Sequence, residues 1–261
     1  MGQTLFAQPF KAVGCAECRN LEGLDFEFTM AFQPIIDVRS RLPYAYEALV
    51  RGLNGESAGV ILAKVNDTNR YRFDQSCRVK AIELAVAAGL LEIPDCLLSI
   101  NFLPKAVYRA ETCIRATLQA AERFGFPLER LMFEVTEGEK VEDPAHLQSI
   151  FTEYQRQGFT TAIDDFGSGY SGLNLLATFQ PDVLKIDMAL TRHIDADPVR
   201  KAIVAGIVLV TAQLGIKVIA EGVETQQESV ALLDLGIHYQ QGYLFARPEV
   251  GVLPAIAPFG A

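Results

Sequence analysis

Carboxylates and side-chain amides recur along this chain in one setting, inside or just beyond apolar stretches of strand length. Glu47 lies in one such stretch, Asn101 ends another, and Glu134 lies in a third with Glu137 just past it. Asp164 and Asp165 follow a further stretch, Lys185 and Asp187 close the next, and Glu221 and Gln241 come after the last two. Singly, each has a plainer reading, because an Asp after a strand is commonly a helix cap and a Glu is commonly solvated. Brought to one place, Glu47, Glu134, Asp164, Asp165 and Glu221, with the Asn101 amide, would repel one another strongly unless cations neutralised them. A donor set made only of oxygen, without His or Cys, suits Mg2+ or Mn2+ better than zinc. Two such ions sharing an Asp suit in-line attack of water on a phosphodiester. Lys185, a lone cation among these acids, is placed to contact both a water and a phosphate.

The elements that must gather these residues are legible in the pattern around them. After a polar leader of about 25 residues, apolar segments of strand length alternate with amphipathic helical segments to the end of the chain. Strands are expected over 29–36, 44–51, 96–101, 131–135, 159–163, 183–186, 217–220 and 237–239. Helices are expected over 74–88, 106–123, 144–157, 198–214 and 225–235. Gly125, Gly158, Gly215 and Gly236 each follow a helical segment and precede a strand, the repeating stop of a β/α barrel. The pattern predicts an α/β fold, a TIM-type (β/α)8 barrel, whose reacting groups collect at the C-terminal ends of the strands. The first two strands are separated only by residues 37–43, too few for a parallel crossover, so the first strand should run antiparallel. Residues 1–26 are read as a leader and 27–261 as one domain.

Composition removes several function classes. Half of the 261 residues are hydrophobic, enough for one barrel-sized core, and the net charge of -9 disfavours long nucleic acid. The longest apolar run, 202–216, is interrupted by Thr211 and Gln213, and no basic start precedes an apolar leader. Neither membrane insertion nor export is expected, so the chain is placed in the cytoplasm. Five cysteines, an odd count, argue against a secreted disulfide framework. Cys15 and Cys18 form a C-x-x-C that no second pair or nearby His completes, while Cys77, Cys96 and Cys113 lie in apolar patterns. His146, His193 and His238 match no ligand position.

The run Glu47-Ala48-Leu49-Val50-Arg51 resembles the signature that names the EAL phosphodiesterase family. Further motifs agree in order from about Phe32 to Pro248. They include Phe32-Gln33-Pro34-Ile35, Ser99-Ile100-Asn101, Phe133-Glu134-Val135-Thr136-Glu137 and Asp164-Asp165-Phe166-Gly167-Ser168-Gly169. Leu184-Lys185-Ile186-Asp187, Ala220-Glu221-Gly222-Val223-Glu224 and Gln241-Gly242-Tyr243-Leu244-Phe245 complete the set.

The resemblance implies hydrolysis of cyclic di-GMP to linear pGpG with two Mg2+ or Mn2+ ions per site. It implies that Glu47, Asn101, Glu134 and Asp164 hold one ion and that Asp164, Asp165 and Glu221 hold the other. Lys185 would orient the attacking water, and Gln241 would support the second ion's shell. Gln33, Leu49, Arg51, Asp187 and Pro248 would seat the dinucleotide. Glu137 would anchor the loop after the paired aspartates, and a homodimer is expected through helices near that loop. Gly52 stands where the family usually has tryptophan, and Asn69-Arg70-Tyr71-Arg72-Phe73-Asp74 resembles a subgroup attached to blue-light (BLUF) sensors. No photoreceptor is expected in this chain, so control would come from a regulatory protein, expression level or the site itself. The competing expectations are a catalytically silent cyclic di-GMP receptor and a protein-binding adaptor; the complete ligand set favours the hydrolase.

Overall fold

A computed structural model describes residues 24–137, 144–169 and 172–260 and shows the strand segments closing into a barrel. Its strands are β1 (Thr29–Asp37), β2 (Leu42–Arg51), β3 (Leu97–Asn101), β4 (Leu131–Thr136), β5 (Thr160–Phe166), β6 (Val183–Ile186), β7 (Lys217–Ala220) and β8 (Tyr239–Gln241). From β2 to β8 each strand pairs parallel with the next, as the alternation with helices requires. β1 closes the ring antiparallel to both β2 and β8, as the short connection between the first two strands dictates. The expected strand at 237–239 lies two residues later, because Ile237 completes the preceding helix stop instead. A two-residue strand, β9 (Glu249–Val250), adds to β1 alongside Ala31 and Phe32, and the sequence pattern did not announce it.

The helices are α1 (Ala58–Leu62), α2 (Arg70–Ala87), α3 (Ala110–Cys113), α4 (Arg115–Phe124), α5 (Pro144–Arg156), α6 (Gly172–Thr178), α7 (Met188–Thr191), α8 (Pro198–Leu214) and α9 (Gln226–Asp234). The helix expected from Asp74 begins four residues earlier. Asp74 does not cap it but lies inside it, paired with Arg78 one turn on. The single helix expected over 106–123 is instead a turn at Pro104–Ala106, then α3, then α4. Val107 and Arg109 take extended backbone angles there, so no continuous ladder can form. Gly125, Gly158, Gly215 and Gly236 all have positive φ, from 67° to 92°, and stop their helices as expected.

The apolar core has two parts. A large layer lies between barrel and helices, with Phe102, Phe133, Phe151, Tyr154 and Phe159 packed edge to face or tilted in its midst. A small cluster of Ile35, Ala45, Met132, Ala162, Val183 and Ile219 fills the barrel interior, bordered by Tyr44, Leu97 and Tyr239. This plug leaves only the C-terminal half of the barrel for polar groups.

Candidate active site

Two residues along each strand from the plug, the inward position turns polar, because side chains on one face recur with period two. Ala45 is followed by Glu47, Met132 by Glu134, Ala162 by Asp164, Val183 by Lys185, Ile219 by Glu221 and Tyr239 by Gln241. At the centre is Lys185, fully buried, with Nζ 2.8 Å from Asp164 Oδ1, 2.8 Å from Glu221 Oε1, 2.9 Å from Glu134 Oε2 and 3.3 Å from Glu47 Oε2. An ammonium has three protons to donate, so four carboxylates exceed its capacity. Among the described residues, buried Glu134 Oε1 finds no hydrogen-bond donor.

Amides hold the other side of this cluster. Gln241 Nε2 donates to Glu47 Oε2 at 2.7 Å and to Gln33 Oε1 at 3.2 Å, and Asn101 Nδ2 donates to Glu47 Oε1 at 2.9 Å. Asp165 joins the same mouth although it neighbours Asp164, which strict alternation forbids. The ladder between β5 and β6 slips between Ile163 and Phe166, and Asp165 has φ 56°. That irregularity turns two consecutive carboxylates to one face, a use to which bulges near active sites are suited.

The charges are out of balance in a way that points outward from the protein. Burial, and then the neighbouring Asp164, push Glu221 well above the usual carboxylate range. Burial likewise raises Glu134 to about 8 and, with Asp164, Asp165 to about 6. Asp164 is also raised, by burial. Burial opposes ionisation of Glu47 too, but Lys185 and the Gln241 and Asn101 amides outweigh it and hold its pKa below the ordinary value. Burial disfavours charge on Lys185, yet Asp164, Glu134, Glu221 and Glu47 together keep it protonated. One lysine thus cannot keep five acids ionised, and added positive charge is what would. The donor set fits divalent cations: one ligand oxygen each from Glu47, Glu134 and Asp164 lie within 4.8 Å of one another, and so do oxygens of Asp164, Asp165 and Glu221.

Glu137 stands beside this centre. Its Oε2 accepts the Gly167 amide at 2.7 Å and the Gly169 amide at 3.3 Å, and its Oε1 accepts the Gly172 amide at 2.7 Å. The carboxylate therefore clasps the turn that follows Asp165 on both sides.

Above the acids opens a cavity of about 380 Å3, walled by Gln33, Glu47, Leu49, Asp164, Asp165, Asp187, Glu221 and Gln241. Asp187 also caps α7, its Oδ1 accepting the Ala189 amide. Arg51, whose Nη1 donates to the Val50 carbonyl, and Pro248 are not among the lining residues. Met188, Arg192, Glu224 and Tyr243 line the cavity without having been anticipated. Arg192 pairs with Glu224 at 2.8 Å, and Arg247 stacks over the Tyr243 ring at 4.0 Å. A lone arginine six residues past a strand carries no signal in sequence, since it reads as a surface ion pair. Cys15 and Cys18 lie outside the described residues. Cys77, Cys96 and Cys113 are buried and form no disulfide among the described residues.

Comparison with known proteins agrees with this geometry. The chain spans 56% of the length of the Escherichia coli (strain K12) blue light- and temperature-regulated antirepressor BluF, to which 227 residues, 87% of this chain, are 32% identical. Several other relatives are named cyclic di-GMP phosphodiesterases, and the chain spans less than half of each. A standalone versatile EAL protein from Vibrio cholerae O395, solved with c-di-GMP bound, superposes with a TM-score of 0.86 at 53% identity, covering 90% of this chain and 98% of that one. Klebsiella pneumoniae BlrP1, solved as a manganese/cy-diGMP complex, superposes with a TM-score of 0.79 at 35% identity, covering 88% of this chain and 58% of that one. With the EAL domain pattern matching residues 21–248, and the acidic centre standing on the barrel strands that carry that pattern, the chain belongs to the EAL domain family.

Proposed function

We propose that this protein is a metal-dependent phosphodiesterase that opens cyclic di-GMP to linear 5'-pGpG. The observation that carries the reading is the pair of carboxylate groups sharing Asp164 around a single buried lysine. Relatives named as cyclic di-GMP phosphodiesterases, and structures described with c-di-GMP or manganese and cy-diGMP, supply the substrate. Glu47, Asn101, Glu134 and Asp164 would hold one Mg2+ or Mn2+, and Asp164, Asp165 and Glu221 the other. Such ions would lower the pKa of bound water toward about 7 and polarise a phosphoryl oxygen.

The chain's own groups do the rest. Lys185 stays protonated and, with cations taking up the carboxylates that now crowd it, would orient the attacking water. Gln241 fixes Glu47 and Gln33 together, so the carboxylate cannot rotate away from the centre. Asp187, Leu49 and Gln33 wall the cavity in which one guanosine sits, with Arg51 and Pro248 serving the outer part of the dinucleotide. Binding both guanosines positions the phosphorus between them, which makes the cyclic substrate preferred over its linear product.

The decisive experiment incubates purified protein with cyclic di-GMP and Mn2+ and separates the products. Linear pGpG, with GMP appearing far more slowly, is expected. Intact substrate after prolonged incubation would instead favour the second reading, a silent receptor or protein-binding adaptor, which the antirepressor among the relatives motivates.

A leader over 1–26 and one catalytic domain over 27–261 are proposed; the family pattern over residues 21–248 supports a single domain and begins a few residues before that boundary. A homodimer is proposed on the apolar face of α8, where Val199, Ile203, Leu209 and Val210 are exposed. Light scattering of the purified chain should return twice its mass of 28.6 kDa. A cytoplasmic setting is proposed, in keeping with Cys77, Cys96 and Cys113 being buried and outside any disulfide. Among the described residues no helix is long and apolar enough to cross a membrane.

A further inference from the structure

Outside the barrel wall, between α2 and the ends of β3 and β4, lies an ion pair with no access to solvent. Arg78 Nε sits 2.8 Å from Asp74 Oδ2, with both side chains 1% exposed or less. The guanidinium is packed among the Phe133, Phe102 and Tyr154 rings at 5.1, 5.5 and 5.6 Å, and its Nη1 donates to the Tyr154 hydroxyl at 2.6 Å. A buried pair of this kind seldom stabilises a fold more than apolar side chains of the same volume would. Its other contact suggests a different use. Asp74 Oδ1 accepts the backbone N–H of Leu103 at 2.9 Å, two residues past Asn101. Between them, the Phe102 N–H donates to the Glu134 carbonyl at 3.0 Å, and the Phe102 ring rests against Arg78. The chain leaving Asn101 is thus pinned at consecutive amides, one to the strand that bears Glu134 and one to Asp74.

We propose that Asp74, locked in place by Arg78, is a positioning residue for the acidic centre: by holding the Leu103 amide it fixes the end of β3 and so the direction of the Asn101 side chain. Asn101 already spends its Nδ2 on Glu47, so the rotation of the amide, and with it the bearing of Oδ1, depends on where the strand end is held. Neither Asp74 nor Arg78 belongs to the carboxylate groups around Lys185. They act on that centre only through the backbone, as supporting hydrogen bonds around metal ligands do. The inference rests on the reading that Asn101 contributes to a cation site.

The test replaces the pair in two ways. Asp74→Leu with Arg78→Met removes both charges together and leaves no acceptor for the Leu103 amide, whereas Asp74→Asn with Arg78→Met restores an oxygen there. Mn2+ binding is measured by calorimetry and by the rise in melting temperature on adding Mn2+, beside kcat and KM for cyclic di-GMP. The Leu–Met protein should bind Mn2+ roughly 10–100-fold more weakly than the parent, with kcat lowered more than KM is raised. The Asn–Met protein should recover most of the affinity. Equal Mn2+ binding by the two double variants would overturn the proposal. Should the Leu–Met protein fail to fold, Leu103→Pro removes the donor while leaving the pair intact, and the same criterion applies: weakened binding supports the proposal and parental binding overturns it. A parent protein that binds no Mn2+ would strike the cation site itself, a failure distinct from that of the positioning role.

Discussion

Replacing Glu137 by Ala asks whether the turn carrying Asp165 is held from outside. Two hydrogen bonds at 2.7 Å and one at 3.3 Å would be lost, each from a backbone amide to a carboxylate that is 6% exposed. A hydrogen bond to a charged group contributes about 1.5–3 kcal/mol when its partner stays dry. Here Gly167 and Gly169 are exposed and their amides rehydrate, while Gly172 is buried. The net loss of global stability should therefore be about 1–3 kcal/mol, within the range of ordinary substitutions. The local effect is larger in consequence. Asp165 holds φ 56°, a left-handed conformation that costs a non-glycine residue about 1–2 kcal/mol, and the clasped Gly167 amide keeps the turn from relaxing. Released, the Asp165 carboxylate swings away from Asp164 and Glu221. A misplacement of about 1 Å in a reacting array lowers rate on the order of 100-fold. The assay is kcat across a Mn2+ titration, run beside a melting curve. A folded Glu137→Ala protein with parental kcat and parental Mn2+ dependence would refute this reasoning. Glu137→Gln, which retains one acceptor oxygen, should fall between the two.

Three further outcomes are expected. Glu47→Ala should abolish hydrolysis, and EDTA should do the same to the parent; a rate indifferent to EDTA sinks the two-cation reading. Cys15→Ser with Cys18→Ser should leave the rate largely intact, and loss of a bound zinc together with activity in that protein would contradict it. For Glu228, burial raises the pKa but amides of His193, Glu224 and Thr225 lower it further, so the folded value is depressed. Its stabilisation of the start of α9 is complete above the unfolded pKa of about 4.3 and disappears as pH falls through the folded value. Glu228→Gln should cost about 1 kcal/mol at pH 7, and melting curves should show that gap closing in acid; a gap that widened on acidification would reverse the sign argued here.

Sequence alone reached the barrel and most of the acidic centre because both are written in short-range patterns. Strand and helix periodicities, with glycine after each helix, decide the architecture, and the polar residue at each strand end follows from it. What stayed hidden depends on distant contacts. Asp74 reads as a helix start until Arg78 and the Leu103 amide claim its two oxygens. Arg192, Glu224 and Tyr243 reach the cavity because loops after β6, β7 and β8 converge there, which no local pattern encodes. β9 is two residues long, below the length at which alternation can be seen.

The antiparallel strand explains how Gln33, in the middle of β1, comes to stand in the site. In the parallel strands the mouth of the barrel lies at the C-terminal end, so Asn101 ends β3 and Gln241 ends β8. β1 runs the other way, and its residues rise toward the mouth as their numbers fall. The register sets Ile35 opposite Ala45 and Gln33 opposite Glu47, so the strand presents its apolar residue to the plug and its amide to the acids in reversed order. Ile35 also faces Gln241, whose amide then reaches both Gln33 and Glu47. The reversal therefore does two things at once. It closes the ring through a connection too short for a helix, and it brings Gln33 level with the carboxylates, where it ties the last strand of the barrel to the second.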